Sequence, residues 1–182
     1  MTRVHSDGKR RCGWLNDDPI YVEYHDVEWG LPISGDDAMF ERLSLEGFQA
    51  GLSWLTILKR RENFRAAFAG FEIAKVARFS DADVERLVSD VGIIRHRGKI
   101  SAVIKNAKLC QEIPGGLEQY VLSFAPKVDR RGLTISPEST ELSKGLRKLG
   151  FNFVGPTTMH ALMQAIGMVK DHESNCDFRL SH

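Results

Sequence analysis

Apolar side chains recur at intervals of three and four residues along most of the chain, and alternating β-branched runs are nearly absent. This spacing is typical of amphipathic helices rather than strands. It predicts helices at about residues 37–50, 53–64, 73–77, 82–90, 99–112, 140–149 and 156–166. Residues 12–33 lack the pattern and predict an irregular, aromatic-rich lead-in broken by Pro19 and Pro32. Residues 113–137, rich in glycine and proline, predict a loop-rich connection.

One acidic residue interrupts the apolar face of the first long helix. With a helical turn of about 100° per residue, Glu46 falls on the same face as Leu43 and Ala50. Gly51 then ends the helix and leads into the next one. Periodicity leaves two interpretations open. Glu46 is either a half-exposed side chain at the edge of the stripe, or a carboxylate that lines a pocket and bonds a ligand there.

Composition narrows the class of protein without identifying it. The chain has 182 residues, 42% of them hydrophobic and 27% charged, which fits one soluble domain. Its longest apolar runs are too short to span a bilayer, and Met1 to Arg11 lack the apolar segment of a secretory signal. Three cysteines, an odd number, argue against a disulfide framework and favour a reducing, cytoplasmic location. The helical stripes predict that Cys110, Met159 and Met163 belong to the core.

Basic residues cluster between two of the predicted helices, although the net charge of the chain is only +1. Arg95, Arg97 and Lys99 surround Gly98 at the start of a helix. Free N–H groups at such a start, together with the helix dipole, form a site for an anion such as a DNA phosphate. The alternative is an ordinary helical hairpin whose basic turn is simply solvated.

Two cysteines and two histidines near opposite ends of the sequence form a candidate metal site. His172 and Cys176 are separated by three residues, which lets both reach one ion, and Cys12 and His25 are the other two candidates. Two thiolates and two imidazoles would complete a tetrahedral structural zinc site that joins the two ends of the fold. Because the spacing is not that of a standard zinc finger, the alternative is free cysteines and surface histidines.

Aromatic residues are concentrated in the same part of the chain as Glu46. The set consists of Trp14, Tyr21, Tyr24, Trp29 and Trp54. These side chains are either part of an ordinary core or a stacking box for a planar ligand, particularly a cationic one.

Several motifs follow one another along the chain. They are Cys12-Gly-Trp14, Tyr24-His-Asp-x-Glu-Trp29-Gly, Leu45-Glu46-Gly-x-Gln49-Ala-Gly-Leu-Ser-Trp54, Gly92-Ile-Ile-Arg-His-Arg-Gly-Lys99, Gly150-Phe-x-Phe-Val-Gly155 and His172-x-x-x-Cys176. In this order they resemble the DNA-3-methyladenine glycosylase I family of the helix-hairpin-helix glycosylase superfamily, over about residues 11–176. The resemblance implies an all-α helix-hairpin-helix glycosylase fold for residues 12–182. Residues 1–11 are then an N-terminal extension with no assigned role.

The resemblance also implies roles for individual residues. Glu46 matches the family's base-recognising carboxylate and is the candidate catalytic residue. The implied base-binding residues are Glu46, Tyr24 and Trp54, with Trp14, Tyr21 and Trp29 as the surrounding wall. The implied DNA-binding residues are Gly51 and Leu52, in a loop that enters the DNA, and Arg95, Arg97, Gly98 and Lys99, in a phosphate-binding hairpin. The implied ligands of a structural Zn²⁺ are Cys12, His25, His172 and Cys176.

The implied function is that of a monofunctional, monomeric repair enzyme. It would flip an alkylated nucleotide out of double-stranded DNA and excise 3-methyladenine by hydrolysing the N-glycosidic bond. Phe48, where a polar residue is expected, and His160, where an aromatic one is expected, depart from the family pattern and bear on substrate preference. The competing hypothesis is a non-enzymatic DNA-binding module that uses the hairpin and the zinc for architecture. That hypothesis leaves Glu46 among the aromatic residues unexplained.

Overall fold

The computed structural model describes residues 1–179, so residues 180–182 of the predicted domain lie outside the described part. The described residues are mostly helical, and a 3-10 turn lies at Ala69–Phe71. The helices are α1 (Pro19–Val27), α2 (Asp36–Gln49), α3 (Trp54–Leu58), α4 (Arg61–Ala67), α5 (Ile73–Val76), α6 (Asp81–Ser89), α7 (Arg97–Cys110), α8 (Gly116–Leu122), α9 (Pro137–Lys148) and α10 (Pro156–Ala165). Two short strands, β1 (Arg3–Val4) and β2 (Arg10–Arg11), form an antiparallel ladder that the all-α expectation did not include.

The first helix corrects the expectation of an irregular lead-in. Pro19 starts α1 instead of interrupting it, because a proline at the first helical position lacks only an N–H that would have no partner there. The Asp18 carboxylate caps the helix by accepting a hydrogen bond from the Ile20 N–H at 3.3 Å. Tyr21 and Tyr24 are therefore carried by a regular helix rather than by a loop.

Three other elements differ from those that periodicity predicts. The helix expected at 53–64 is divided into α3 and α4. Helix α8 lies in the stretch expected to be loop, behind Gly115, whose backbone is left-handed. Helix α9 begins earlier than expected, at Pro137 behind a Ser136 cap. Capping and backbone geometry set these boundaries, and a pattern of apolar positions does not record either.

Helix α2 lies at the centre of the fold, where it packs against α3, α5, α7, α8 and α10. One face of α2 carries Phe48, whose ring centroid is 4.6 Å from that of Phe64 and 5.9 Å from that of Phe68. All three phenylalanines are fully buried. Because this face is anchored in the core, the opposite side of α2 is held in a fixed position.

The later helices bury the side chains that were predicted to be core. Cys110, Met159 and Met163 are all buried, as the helical stripes indicated. Helix α10 packs on both α9 and α2, which brings the last third of the chain against the central helix. Among residues 1–179, none of the helices is both long and apolar enough to cross a membrane.

Arg11 connects the N-terminal extension to the helical body. Its side chain is only 2% exposed, and its guanidinium contacts Asp7 at 2.8 Å and Asp26 of α1 at 2.7 Å. A buried guanidinium is costly unless carboxylates accept its hydrogen bonds, and both partners do so here. The extension therefore packs on α1 next to His25, whose Nδ1 lies 2.8 Å from the same Asp26.

Gly167 is predicted to be intolerant of any side chain. Its φ of +77° is unfavourable for other residues, and a Cβ there would lie 2.5 Å from the Gly30 carbonyl oxygen. We expect Gly167→Ala to lower the free energy of unfolding by about 2–4 kcal/mol in urea denaturation. Gly132→Ala is the matched control, because Gly132 has a φ of +73° but open space around it, and should cost only about 1 kcal/mol. Equal losses would mean that the contact with Gly30 does not matter.

Candidate functional site

A cavity of about 230 Å³ lies between α1, α2, α3 and α10. It is small compared with sites for drug-sized ligands, roughly 300–1,000 Å³, and so suits a small planar molecule. The residues that line it are Trp14, Tyr21, Tyr24, Trp29, Glu46, Gln49, Trp54, Ala161, Gln164 and Asp171. All five aromatic residues singled out in the sequence therefore meet at one cavity with Glu46.

The aromatic rings form two groups around this cavity. Tyr24 and Trp54 lie with ring centroids 5.5 Å apart and an interplanar angle of 48°. On the outer side, the Trp14 ring centroid lies 5.2 Å from that of Tyr21 and 5.0 Å from that of Trp29. Trp14 is 40% exposed, whereas Tyr24 and Trp54 are buried, so the first pair forms the closed end and Trp14 stands at the opening.

Glu46 is buried, and the interpretation of a half-exposed glutamate is wrong. Its side chain lines the cavity at 4% exposure. Burial raises the pKa of Glu46 to about 7, and the positive charge of Arg42 opposes that rise. At neutral pH the carboxyl group is therefore divided between its charged and neutral forms.

Two polar groups at the closed end have no internal partner. Within residues 1–179, no group donates a hydrogen bond to the Glu46 carboxylate, on which only burial and the charge of Arg42 act. The buried Trp54 indole N–H finds no acceptor in the same part of the chain. Buried polar groups are nearly always hydrogen-bonded, since an unmet donor or acceptor costs about 1–3 kcal/mol. The Glu46 carboxylate, which lines the cavity, is therefore available to a polar edge of a bound molecule.

Three polar residues of the cavity were not assigned a role from the sequence. Gln49 lies one turn after Glu46 on α2, and this helical spacing is the signal that could have found it. Gln164 of α10 donates a hydrogen bond to Asp171 at 2.6 Å. The backbone N–H of Gly132 donates to the other carboxylate oxygen of Asp171 at 2.7 Å. No local sequence signal links these last residues to Glu46, because they reach the cavity only through the packing of α10 on α2.

A buried cluster of two cysteines and two histidines lies beside the aromatic wall. The ligand atoms of Cys12, His25, His172 and Cys176 all lie within 4.8 Å of one another. The Cys176 Sγ is 3.6 Å from His25 Nε2 and 3.4 Å from His172 Nδ1, and the Cys12 Sγ is 3.6 Å from His172 Nδ1. Tetrahedral sulfur and nitrogen ligands at ordinary zinc distances would be about 3.6 Å apart. This cluster could therefore hold a metal ion.

The loop after α2 presents an apolar side chain to solvent. Gly51 has a φ of +86°, and Leu52 beside it is 40% exposed. Ser53 then caps α3 by accepting a hydrogen bond from the Thr56 N–H at 3.2 Å. The tight turn thus projects Leu52 from the rim of the cavity, because Glu46 precedes the loop and Trp54 follows it.

Helices α6 and α7 are joined by a short basic turn at residues 90–96. Arg95 and Gly98 are exposed, and no carboxylate within residues 1–179 pairs with Arg95. Arg97 forms a two-pronged ion pair with Glu85, at 2.7 and 2.8 Å. Arg95 is therefore the freer of the two arginines to meet an external anion.

The position of Lys99 corrects its assignment to the DNA-binding surface. Its side chain is buried, and its ammonium donates hydrogen bonds to the carbonyl oxygens of Phe48 at 2.8 Å and Ala50 at 2.6 Å. The Phe153 ring covers it, with the nitrogen 5.9 Å from the ring centroid. Lys99 satisfies the carbonyls at the C-terminal end of α2, where cations are favourable, and does not reach out to a phosphate.

The two departures from the family pattern both lie outside the cavity. Phe48 faces the phenylalanine core on the other side of α2. His160 is fully buried, and its Nδ1 lies 3.3 Å from the Ser136 hydroxyl. Neither side chain lines the space where a ligand would sit.

A helical fold whose small aromatic cavity ends in a buried, unpartnered carboxylate defines a protein that binds a planar molecule with a polar edge. The model of the methyladenine glycosylase family matches residues 14–180, and the chain belongs to that family. The chain is 48% identical to DNA-3-methyladenine glycosylase 1 of Escherichia coli, with 91% of this chain and 95% of that protein covered. It is 43% identical to the DNA-3-methyladenine glycosylase of Haemophilus influenzae, with 94% and 98% covered.

Solved structures of similar proteins have the same fold. The 3-methyladenine DNA glycosylase I of Staphylococcus aureus, described for its recognition of 3-methyladenine, superposes with a TM-score of 0.88 at 34% identity and covers 94% of this chain and 97% of its own. A second 3-methyladenine DNA glycosylase I superposes with a TM-score of 0.87 at 43% identity, over 92% of this chain and 98% of its own.

The buried carboxylate should make stability depend on pH. Because the pKa of Glu46 is higher in the folded than in the unfolded protein, its ionisation on going from pH 4.5 through about 7 weakens the fold. We expect Glu46→Gln to increase the free energy of unfolding at pH 8 by up to about 3 kcal/mol, and to change it little near pH 4.5. Urea denaturation at both pH values measures this. A pH-independent effect would show that the charge of Glu46 carries no such cost.

Proposed function

We propose that this protein is a DNA repair glycosylase that excises 3-methyladenine from alkylated double-stranded DNA by hydrolysing the N-glycosidic bond. The observation that carries the proposal is the buried Glu46 carboxylate, without an internal hydrogen bond, at the closed end of an aromatic cavity. Membership in the methyladenine glycosylase family supports the reaction, and relatives named for 3-methyladenine support the substrate.

The reaction requires that the damaged nucleotide leave the base stack, since the cavity cannot reach a stacked base. Flipping costs a few kcal/mol and costs least for a damaged base. Leu52, exposed at the tip of a tight turn next to the cavity, suits the role of a wedge that enters the gap, as apolar side chains do in other DNA complexes. Gly51 permits the turn because of its left-handed backbone.

Recognition combines stacking with one charged acceptor. The rings of Tyr24 and Trp54 stack on the base, while Trp14, Tyr21 and Trp29 form the wall around it. Glu46 accepts a hydrogen bond from the exocyclic amine edge of 3-methyladenine. This bond meets an otherwise unmet acceptor and balances the positive charge that methylation places on the nucleotide, which is why Glu46 binds the damaged form preferentially.

The chemistry needs little acid–base assistance. Methylation at N3 makes the adenine cationic in the nucleotide, so the glycosidic bond is already weak and the base departs as a neutral molecule. As the bond to the base breaks, water adds to the sugar carbon and loses one proton to solvent. Among the described residues, no lysine lines the cavity. Lys99, the lysine of the family motifs, donates hydrogen bonds to two carbonyl oxygens instead. No lysine is therefore available to form a covalent imine with the sugar, and the enzyme releases the base without cutting the strand.

DNA affinity is assigned to the turn between α6 and α7. The first backbone N–H groups of α7, near Arg97 and Gly98, together with the Arg95 side chain, suit a DNA phosphate. Such contacts hold the duplex without reading its sequence. The cavity and the basic turn are both complete within one chain, so the proposed reaction needs no residue from a second copy.

The Cys12–His25–His172–Cys176 cluster is assigned to a structural zinc ion. The donor set and its spacing fit four-coordinate zinc, and His25 is further oriented by the Asp26 carboxylate on its other ring nitrogen. With all four positions taken by protein, the ion would stabilise the fold and not act on the substrate.

The direct test of function is release of free base from methylated duplex DNA. We expect the wild-type protein to release 3-methyladenine, and Glu46→Gln to do so roughly tenfold to a hundredfold more slowly, because a hydrogen bond to a charged group is lost. Glu23→Gln on the exposed side of α1 is the matched control and should retain full activity. Binding of DNA without any release of base would favour the non-enzymatic module. A borohydride-trapped DNA adduct would indicate a lyase instead.

Metal analysis tests the zinc assignment. We expect purified protein to contain one zinc ion per chain, and Cys176→Ser to lose most of it and to melt at a lower temperature. Cys110→Ala removes a buried thiol outside the cluster and should leave the metal content unchanged. Metal-free wild-type protein of normal stability would refute the assignment.

A further inference from the structure

Arg42 is a buried cation next to the candidate base pocket that does not itself line it. The residue is 8% exposed and lies on α2 one turn before Glu46. Its Nη1 donates a hydrogen bond to the Tyr24 hydroxyl at 3.1 Å. The guanidinium carbon lies 5.4 Å from the ring centroid of Tyr24 and 5.7 Å from that of Trp54. Arg42 thus packs against both rings of the closed end without lining the cavity.

The carboxylate that Arg42 approaches does not require it. Glu28 already accepts two hydrogen bonds from Arg61, at 2.5 and 2.9 Å, whereas the Arg42 guanidinium lies 3.7 Å from Glu28. Arg61, Glu28, Arg42 and Glu46 therefore form a string of alternating charges that runs from the surface to the pocket. Without Arg42, Glu28 would still be paired, but Glu46 would lose the only cation among the described residues that favours its charged form.

We propose that Arg42 is a positioning residue of the base pocket, which holds the Tyr24 and Trp54 rings in place and sets a positive charge one helical turn from the Glu46 carboxylate. The inference rests on the proposed function, because the ionised Glu46 is taken as the acceptor for the base. Arg42 acts through these three side chains and does not touch the base itself. Burying a guanidinium costs free energy, and the positioning role explains why Arg42 is nevertheless buried here.

The orientation of the Tyr24 hydroxyl follows from the chemistry of arginine. A guanidinium can only donate hydrogen bonds, so the hydroxyl oxygen must be the acceptor. The cation also lies within about 6 Å of both ring centroids, a distance at which it attracts an aromatic face. One side chain thereby fixes two rings that would otherwise depend on packing alone.

Other titratable groups near Glu46 do not replace this charge. On α1, burial raises the pKa values of Tyr21 and Tyr24, so both stay neutral near pH 7. Glu28 is acidic, and although its burial acts in the other direction, the hydrogen bonds from Arg61 keep its pKa below the usual value. Asp171, from the segment after α10, adds a carboxylate on the far side of the cavity. Helix α3 presents Trp54, which does not titrate.

The experiment measures single-turnover release of 3-methyladenine from methylated duplex DNA, and binding of free 3-methyladenine, between pH 5.5 and 9. The neutral variants are Arg42→Met, which keeps an unbranched apolar stem but is shorter and cannot donate, and Arg42→Gln, which keeps an N–H donor on a shorter side chain. Arg42→Lys keeps the charge but loses the planar fork. Arg86→Met is the matched control, because it removes an arginine that also packs on an aromatic ring, Phe79, but away from the pocket. Glu46→Gln identifies which part of the pH profile belongs to Glu46.

We expect wild-type activity to fall as the pH drops below about 7, and this fall to be absent in Glu46→Gln. In both neutral Arg42 variants the fall should move to higher pH, with activity partly recovered at pH 9. Arg42→Lys should keep the wild-type profile but bind free base roughly threefold to tenfold more weakly. Arg86→Met should change neither the pH profile nor the affinity for free base.

An unchanged pH profile in Arg42→Gln would overturn the proposal, even if Arg42→Met does not fold. A uniform loss of activity at every pH, with the same profile, would also overturn it by reducing Arg42 to a packing residue. If the wild-type protein releases no 3-methyladenine, the proposed function fails first, and that result is distinct from both outcomes.

Discussion

The rest of the structure depends on one constraint, the burial of the Glu46 carboxylate without an internal hydrogen bond. Such a group destabilises the fold unless a ligand or a cation compensates it, so its helix must be held by interactions made elsewhere. Helix α2 is held from both sides. Phe48 anchors it in the aromatic core, and Lys99 occupies the carbonyl groups at its end. The site is thus a local instability supported by a rigid surrounding, which is the usual arrangement at a binding site.

The outer wall of the cavity depends on a different set of contacts, made by residues from both ends of the chain. The Trp14 ring lies 5.4 Å from the His25 ring, and the Trp29 ring lies 4.7 Å from the His172 ring. The cysteine and histidine cluster is therefore packed directly behind the aromatic wall. An ion held there would fix the position of these tryptophans, which connects a purely structural site to the shape of the base pocket.

Sequence periodicity was sufficient for helices α2, α6, α7 and α10, because their apolar stripes face the core. It failed at α1, where Pro19 starts a helix, and at Lys99, whose burial depends on carbonyl groups of residues distant in sequence. The family motifs predicted which residues line the aromatic cavity and which form the cysteine and histidine cluster. They did not indicate Arg42 or Asp171, because a charged residue is ordinarily exposed. Helical spacing places Arg42 one turn before Glu46 but does not show that it is buried, and only tertiary packing brings Asp171 to the cavity.

The contact between Cys12 and His172 spans 160 positions, and this separation has a consequence for biosynthesis. A ribosome adds residues at roughly 5–20 per second, and chain segments fold as they emerge, beginning at the N-terminus. Helix α2, with Glu46, can therefore pack early, but Trp29 lacks its His172 neighbour until the last segment has been translated. Until then the aromatic wall lacks its C-terminal neighbours, and the nascent chain exposes apolar surface of the kind that favours aggregation and chaperone binding.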